Sequence, residues 1–176
     1  MVAASAVELE NMQAIVNKHL PGNTINWVVG GATRLASVAN AVAALPEVLE
    51  FVAIHDAARP LASVNLLEKL CNAAKIYGGA IPGNTPVDTI KAVDKDGVIT
   101  QNLIRSQLAA VATPQLFKYK EYLKALSLLD ADLLNGSVES SLITDDAALF
   151  SQAGGKVKVV FSDEPNFKVT RPDDIK

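Results

Sequence analysis

The stretch Glu50-Phe51-Val52-Ala53-Ile54-His55-Asp56-Ala57-Ala58-Arg59-Pro60 decides the fold. Its first half is a short apolar run, the pattern of a strand covered on both faces of a sheet. Such strands belong to α/β proteins, where helices lie on both sides. Its second half sets an acid and a base, Asp56 and Arg59, just beyond the strand's carboxyl end. In open α/β sheets ligands bind there.

Outward from this stretch, strands and helices alternate. Val2-Ala3-Ala4 reads as a short strand, and Ser5 is placed to cap a helix over about 6–18. Pro21-Gly22-Asn23 breaks it before a strand at Ile25–Val29. After Gly30-Gly31, Val38, Ala41, Val42 and Leu45 share one face of a helix that Pro46 ends. Ser63 caps a helix to about Tyr77, with Leu66, Leu67, Leu70 and Ala74 at helical spacing, and Gly78–Pro82 is a strand. Thr89–Val93, the turn Asp94-Lys95-Asp96-Gly97, and Val98–Thr100 spell a β-hairpin. Helices near Lys118–Leu129 and Asp145–Gln152, a strand at Lys156–Phe161 and a helix opening at Pro172 complete the pattern. It predicts one α/β domain over 1–176, with a doubly wound, mostly parallel sheet and a piece over 86–107 projecting from it. The loops Gly30–Ser37, Asp56–Arg59 and Pro82–Thr89 all follow strands, so they are expected to converge on one crevice.

Composition narrows the function. A chain of 176 residues, 49% of them hydrophobic, can bury a core without staples. A net charge of −3 with scattered basic residues argues against nucleic-acid binding. The single cysteine, Cys71, excludes an internal disulfide and a CxxC site, and is expected to be a small buried residue. No apolar run approaches the ~18 residues of a membrane span, and the N-terminus lacks the basic n-region of a signal peptide, so a cytoplasmic protein without a membrane partner is expected. His19 and His55 lie far apart, and there is no HExxH, Cys/His cluster or Ser/His/Asp arrangement. Zinc-enzyme and hydrolase chemistries have little support.

The polar residues near strand ends each allow two roles. Asp56 can accept from a sugar hydroxyl or hold a hydrated Mg²⁺, and Arg59 can grip phosphate oxygens, or the two can simply close their loop as an ion pair. Gly30-Gly31-Ala32-Thr33-Arg34, with Ser37 one turn on, lets a ligand approach a helix start, or is a plain strand-to-helix turn. Thr89, Lys91 and Arg105 are binding groups or a solvated ribbon. Thr113-Pro114-Gln115 is a pocket wall or a turn before a helix. Thr144-Asp145-Asp146 is a ligand loop or an N-cap with acidic first-turn residues. Lys168 is a site cation or a surface lysine.

Taken in order, these segments resemble the 2-C-methyl-D-erythritol 4-phosphate cytidylyltransferase family. The resemblance rests on Gly30–Arg34 with Ser37-Val38, His55–Pro60, Val87–Lys91, Thr113–Gln115, Thr144–Ala147 and Phe167–Pro172, and covers nearly the whole chain. It implies a Rossmann-like nucleotidyltransferase that transfers CMP from CTP to the sugar-alcohol phosphate, with Mg²⁺ or another divalent cation as cofactor and Asp56 as a metal ligand. Gly31, Ala32, Ser37, Asp56 and Ala57 would lie along the nucleotide. Asp56, Arg59, Thr89, Arg105, Thr113 and Lys168 would surround the sugar phosphate, with Arg105 and Lys168 catalytic. It further implies a homodimer whose 86–107 arm carries Thr89 and Arg105 into the partner's site.

One departure stands out. The family's first strand and Gly-rich, basic CTP loop have no counterpart here, and its closing helix is cut at Lys176, so the chain alone is expected to have little or no activity. The alternatives are a ribitol-5-phosphate cytidylyltransferase and a non-catalytic nucleotide-binding or dimer-partner member of the family. Ala57-Ala58 before Arg59 and the Lys168-Val169-Thr170-Arg171-Pro172 ending favour the methylerythritol substrate over ribitol phosphate.

Overall fold

Strands and helices fall, in chain order, as β1 (Val2–Ala4), α1 (Leu9–His19), β2 (Trp27–Val29), α2 (Arg34–Ala43), β3 (Phe51–Ile54), α3 (Val64–Tyr77), β4 (Gly78–Asn84), β5 (Lys91–Val93), β6 (Ile99–Asn102), β7 (Ala110–Val111), β8 (Gln115–Lys118), α4 (Tyr119–Leu126), α5 (Ala131–Asn135), α6 (Asp146–Gln152) and β9 (Lys156–Phe161). Single 3₁₀ turns sit at Arg105–Gln107 and Pro172–Asp174. This computed structural model describes residues 1–135 and 143–175. They form two compact units, one from Met1–Glu50 and Tyr119–Gly154, the other from Phe51–Lys118 and Gly155–Lys176.

In the first unit β1 and β2 pair in parallel, Ala3 opposite Val28. Helix α1 starts later than Ser5 suggests. Ser5 Oγ accepts from Glu8 N–H at 3.3 Å, closing a turn ahead of the helix rather than capping it. Helix α2 is capped as a helix start should be, with Thr33 Oγ1 accepting from Ala36 N–H at 3.0 Å. Helix α4 buries Tyr119, Tyr122 and Ala125, spaced three residues apart on one face. Asp145 caps α6 by accepting from Ala148 N–H at 2.8 Å.

The second unit is built on a five-stranded sheet with β4 at its centre. Six of the seven β4 residues are buried. Strand β9 runs parallel to β4 from Gly78–Lys156 to Gly83–Phe161. Strand β8 lies between β3 and β4, antiparallel to both, and β7 pairs antiparallel with the end of β4. The α/β class stands, but this sheet is mixed rather than mostly parallel. Strand β8 escaped the sequence pattern because its four residues run without a break into α4, so Thr113-Pro114-Gln115 read only as a pocket wall or a turn before that helix. Strand β3 also departs from expectation: Val52 and Ile54 are buried but Ala53 between them is exposed, so the apolar run is not covered on both faces.

Leu66, Leu70 and Ala74 of α3 pack on Ala80 and Leu116, with Phe51, half-buried Cys71 and Val160 around them. Burying each such leucine contributes about 1.5–3 kcal/mol. The predicted hairpin is present as a separate two-stranded sheet of β5 and β6. Asp94 Oδ1 accepts from Asp96 N–H and Val98 N–H, both at 2.9 Å, and Gly97 takes the positive φ of 81° that the turn requires. Nearly all of its side chains are exposed.

Candidate functional site

The second unit gathers an acid and two bases at the end of β3. Lys168 Nζ lies 3.1 Å from Asp56 Oδ2, and Arg59 Nε lies 3.8 Å from the same oxygen. The second distance is an ion pair but too long for a hydrogen bond, and Arg59 Nε is buried without a hydrogen-bond partner. The guanidinium is held instead by Nη1, which donates to Asn166 O at 2.7 Å. Two cations thus face one carboxylate, and Lys168 remains 46% exposed. Arg59 lines two cavities of about 430 and 420 Å³, one shared with Asn84, Glu164, Asn166 and Phe167, the other with His55, Ala57 and Pro114.

The loop carrying Lys168 is tied down at several points. Asn166 Nδ2 donates to Thr113 O at 2.8 Å, and Val169 N–H to Ala58 O at 2.8 Å. Glu164 collects donors from the start of α3: Ser63 Oγ, Asn65 Nδ2 at 2.6 Å and Lys69 Nζ at 3.0 Å. The Ser63 hydroxyl, and then Lys69, hold its carboxyl below the usual glutamate range. Thr113, 5% exposed, accepts from Asp56 N–H at 2.9 Å and faces His55 Nδ1 at 3.0 Å, while His55 Nε2 lies 3.0 Å from Arg59 O.

In the first unit the Gly30-Gly31 turn is fitted tightly to α2. A Cβ on Gly31 would lie 2.4 Å from Ala36 Cβ, so a side chain there must displace the helix. Gly31 N–H donates to Ser37 Oγ at 3.0 Å, and that hydroxyl donates to Thr33 O at 2.9 Å. Ser37 therefore shapes the turn it was expected to serve as a ligand contact. Arg34, at the start of α2, reaches Asp146 Oδ2 at 2.8 Å. Asp146 is fully buried and also accepts from Tyr122 Oη at 2.6 Å. Burial, reinforced by the Asp146 charge, pushes the Tyr122 hydroxyl far above its ordinary pKa, so it stays protonated and donates.

Of the residues singled out from sequence, Asp56, Arg59, Thr113 and Lys168 meet in one constellation, and Ala57 is exposed in the same loop. Thr89 and Arg105 are exposed, and neither side chain hydrogen-bonds or ion-pairs among the described residues. Gly31, Ala32 and Ser37 belong to the first unit. Sequence reasoning passed over Asn166 and Glu164 as site-builders and gave His55 no role. The one local signal was their place beside Lys168 and Asp56. Asp146 was read as a first-turn acid, and its burial was not foreseen.

The second unit thus carries a mixed α/β sheet with cations beyond a strand end, and the first carries a glycine turn that opens a helix. The chain belongs to the 2-C-methyl-D-erythritol 4-phosphate cytidylyltransferase family, whose model matches residues 1–176. It is 39% identical over 164 residues to the 2-C-methyl-D-erythritol 4-phosphate cytidylyltransferase of Clostridium acetobutylicum, covering 93% of this chain and 68% of that protein. To the protein of the same name from a Nostoc species it is 40% identical over 151 residues, covering 86% of this chain and 63% of that one. The crystal structure of 4-diphosphocytidyl-2C-methyl-D-erythritol synthase from Anaerococcus prevotii superposes with a TM-score of 0.81 at 29% identity, covering 97% of this chain and 75% of that one. The chain thus spans roughly two thirds of the length of these curated relatives. No helix among the described residues is long and apolar enough to cross a membrane.

Proposed function

We propose that the protein carrying this chain transfers CMP from CTP to 2-C-methyl-D-erythritol 4-phosphate and releases pyrophosphate. The observation that carries the reading is the convergence of Arg59 and Lys168 on Asp56, in a chain of this family. The reaction brings two polyanions together: an oxygen of the sugar phosphate attacks the α-phosphorus of CTP, and pyrophosphate departs. Cations and alignment matter more here than a general base. Half-exposed Lys168 can turn from Asp56 to a phosphate oxygen, and the pinned Arg59 offers a cationic fork beside it. Asp56 accepts from a sugar hydroxyl, and buried Thr113 forms a wall. Gly31, Ala32, Ser37 and Ala57 take the nucleotide, with Ser37 keeping the turn in shape.

Two further features belong to the same proposal. Among the described residues no group of three or more His, Cys, Asp or Glu gathers as a metal cage. Mg²⁺ is commonly held by one or two carboxylates plus substrate phosphates, so a lone Asp56 fits a cation that arrives with CTP. Bound there, Mg²⁺ would neutralise triphosphate charge. The exposed arm suits a homodimer. Val87, Val98, Ile99 and Ile104 are each more than half exposed along it, and Thr89 and Arg105 remain free to serve a partner's site, with Arg105 joining Lys168 around the phosphate. CTP is made inside cells, which favours the cytoplasm.

Titrating the chain with methylerythritol phosphate and with ribitol 5-phosphate tests the reading. Tighter binding of the former, lost in Arg59→Ala, is the expected result. A preference for ribitol 5-phosphate would reassign the substrate, and no binding of either would overturn the proposal. Adding CTP and following pyrophosphate then separates a catalytic member from one that only binds.

A further inference from the structure

Four hydrogen bonds join residues of the charged cluster into a closed ring. Asp56 N–H donates to Thr113 Oγ1 at 2.9 Å, and Asn166 Nδ2 donates to Thr113 O at 2.8 Å. Arg59 Nη1 donates to Asn166 O at 2.7 Å, and Arg59 N–H donates to Asp56 O at 3.0 Å. The ring runs through three loops, one after β3, one before β8 and one after β9. Three of its members, Asp56, Arg59 and Thr113, are residues that the functional reading sets around the sugar phosphate. Asn166 is the fourth, and it carries no charge. Its amide N–H serves one neighbour and its main-chain oxygen another, so it links the Thr113 wall to the Arg59 cation. Its Oδ1 is buried without a hydrogen-bond partner, which costs stability and points to another use for the amide.

We propose that Asn166 is a positioning residue for the sugar-phosphate site, closing the ring that holds Arg59 and Lys168 in fixed places. The proposal rests on the functional reading above for the ligand it names. A guanidinium presents its hydrogens in one plane. The Nη1 bond to Asn166 O sets how that plane is turned, whereas the main-chain bond to Asp56 O fixes only where the side chain starts. Lys168 lies two residues beyond Asn166, and Val169 N–H donates to Ala58 O at 2.8 Å. The lysine is therefore tethered on both sides to the loop that displays Arg59. Cations already in place meet a phosphate at once, whereas loose ones must be ordered when it arrives, at a cost in affinity. Asn166 acts through the two cations and touches no substrate itself.

The test reads Arg59 and ligand binding separately, on the full chain. In nitrogen-15 labelled wild type, Arg59 should show distinct Nη1 and Nη2 signals, because its bond to Asn166 O slows rotation of the guanidinium. Averaged signals would overturn the proposal. Asn166→Leu keeps most of the side-chain bulk, removes the donor and adds no charge. It should bring the two Arg59 signals together. It should also weaken methylerythritol phosphate about tenfold to a hundredfold, the scale on which a misplacement of about 1 Å is felt. CTP affinity should change far less, and Asn166→Gln, which keeps the amide donor, should recover part of the loss. A purely structural role would lower the unfolding midpoint and leave the affinity of the folded variant unchanged. That result, equal losses for both ligands, or an Asn166→Gln no better than Asn166→Leu would each sink the positioning role. Should Asn166→Leu fail to fold, Asn166→Ala takes its place in the same comparison, and the wild-type Arg59 spectrum decides independently. A wild-type chain that binds no sugar phosphate refutes the functional reading instead, while the Arg59 spectrum still tests the ring.

Discussion

Asp146 in the first unit and Asp56 in the second are both aspartates facing an arginine, yet they are built for opposite ends. Asp146 is fully buried, its arginine is at 2.8 Å, and a tyrosine donates at 2.6 Å. The carboxylate there is closed off by the protein. Asp56 keeps 18% of its side chain in solvent, its arginine stands off at 3.8 Å, and a lysine shares the same oxygen. Two cations approach that carboxylate, and the cluster is open to water. The first arrangement fixes a fold, whereas the second leaves charge available for an anion. The difference lies in distance and exposure, not in residue type.

Asp146→Ala should break this contrast most severely. Removing the carboxylate releases Arg34, whose side chain is 45% exposed and reaches water, and takes the acceptor from the buried Tyr122 hydroxyl, at a cost of about 1–3 kcal/mol for that group. Chemical denaturation of the variant measures it, and a loss under 1 kcal/mol would mean that Asp146 is not the anchor described. Tyr122→Phe should cost about 1–3 kcal/mol, because the Asp146 oxygen it serves is left buried without its donor. A smaller loss would point to water taking the place of the hydroxyl. Lys168→Ala should invert the pattern. Its half-exposed ion pair is worth at most about 1 kcal/mol of stability, whereas methylerythritol phosphate affinity should fall at least about tenfold, an energy of about 1.4 kcal/mol. Lost stability with unchanged binding would place Lys168 with Asp146 as a structural ion.

Glu164 gives the mildest effect. Its carboxyl titrates below the ordinary glutamate value of 4.5 because Ser63 and Lys69 favour the charged form. Its contribution to stability is therefore complete above 4.5 and disappears as pH falls through the lower folded value. Melting curves between pH 6 and 3 should show wild type losing its small advantage over Glu164→Gln at the acid end. A gap that persists or widens there contradicts the assignment.

Sequence reached far where information is local. The Ser63 cap, the Asp94–Gly97 turn and the extent of β9 follow from neighbouring residues and are found where expected. Asp56, Arg59 and Lys168 stood out because charge beyond a strand end or after a proline is unneeded for folding. What was missed depends on distant partners. The direction of β8 is set by its pairing with β3 and β4. Glu164 matters through residues about 100 positions away, and Asn166 through Arg59 and Thr113. Asp146 misled for the converse reason: an acid in a first helical turn is already explained locally, so nothing in the sequence asked for Arg34.

The interleaved order of the units bears on how the chain emerges from the ribosome. Strand β4 is complete at Asn84, but its parallel neighbour begins at Lys156. At about 5–20 residues per second, the most deeply buried strand waits roughly 4–15 seconds for that partner. The first unit likewise waits for α4 and α6, so no contiguous fragment contains either unit whole. Nascent β4 has only the antiparallel β7 and β8 to cover its edges in the interval. A pause or a chaperone acting there would protect an apolar edge from other chains.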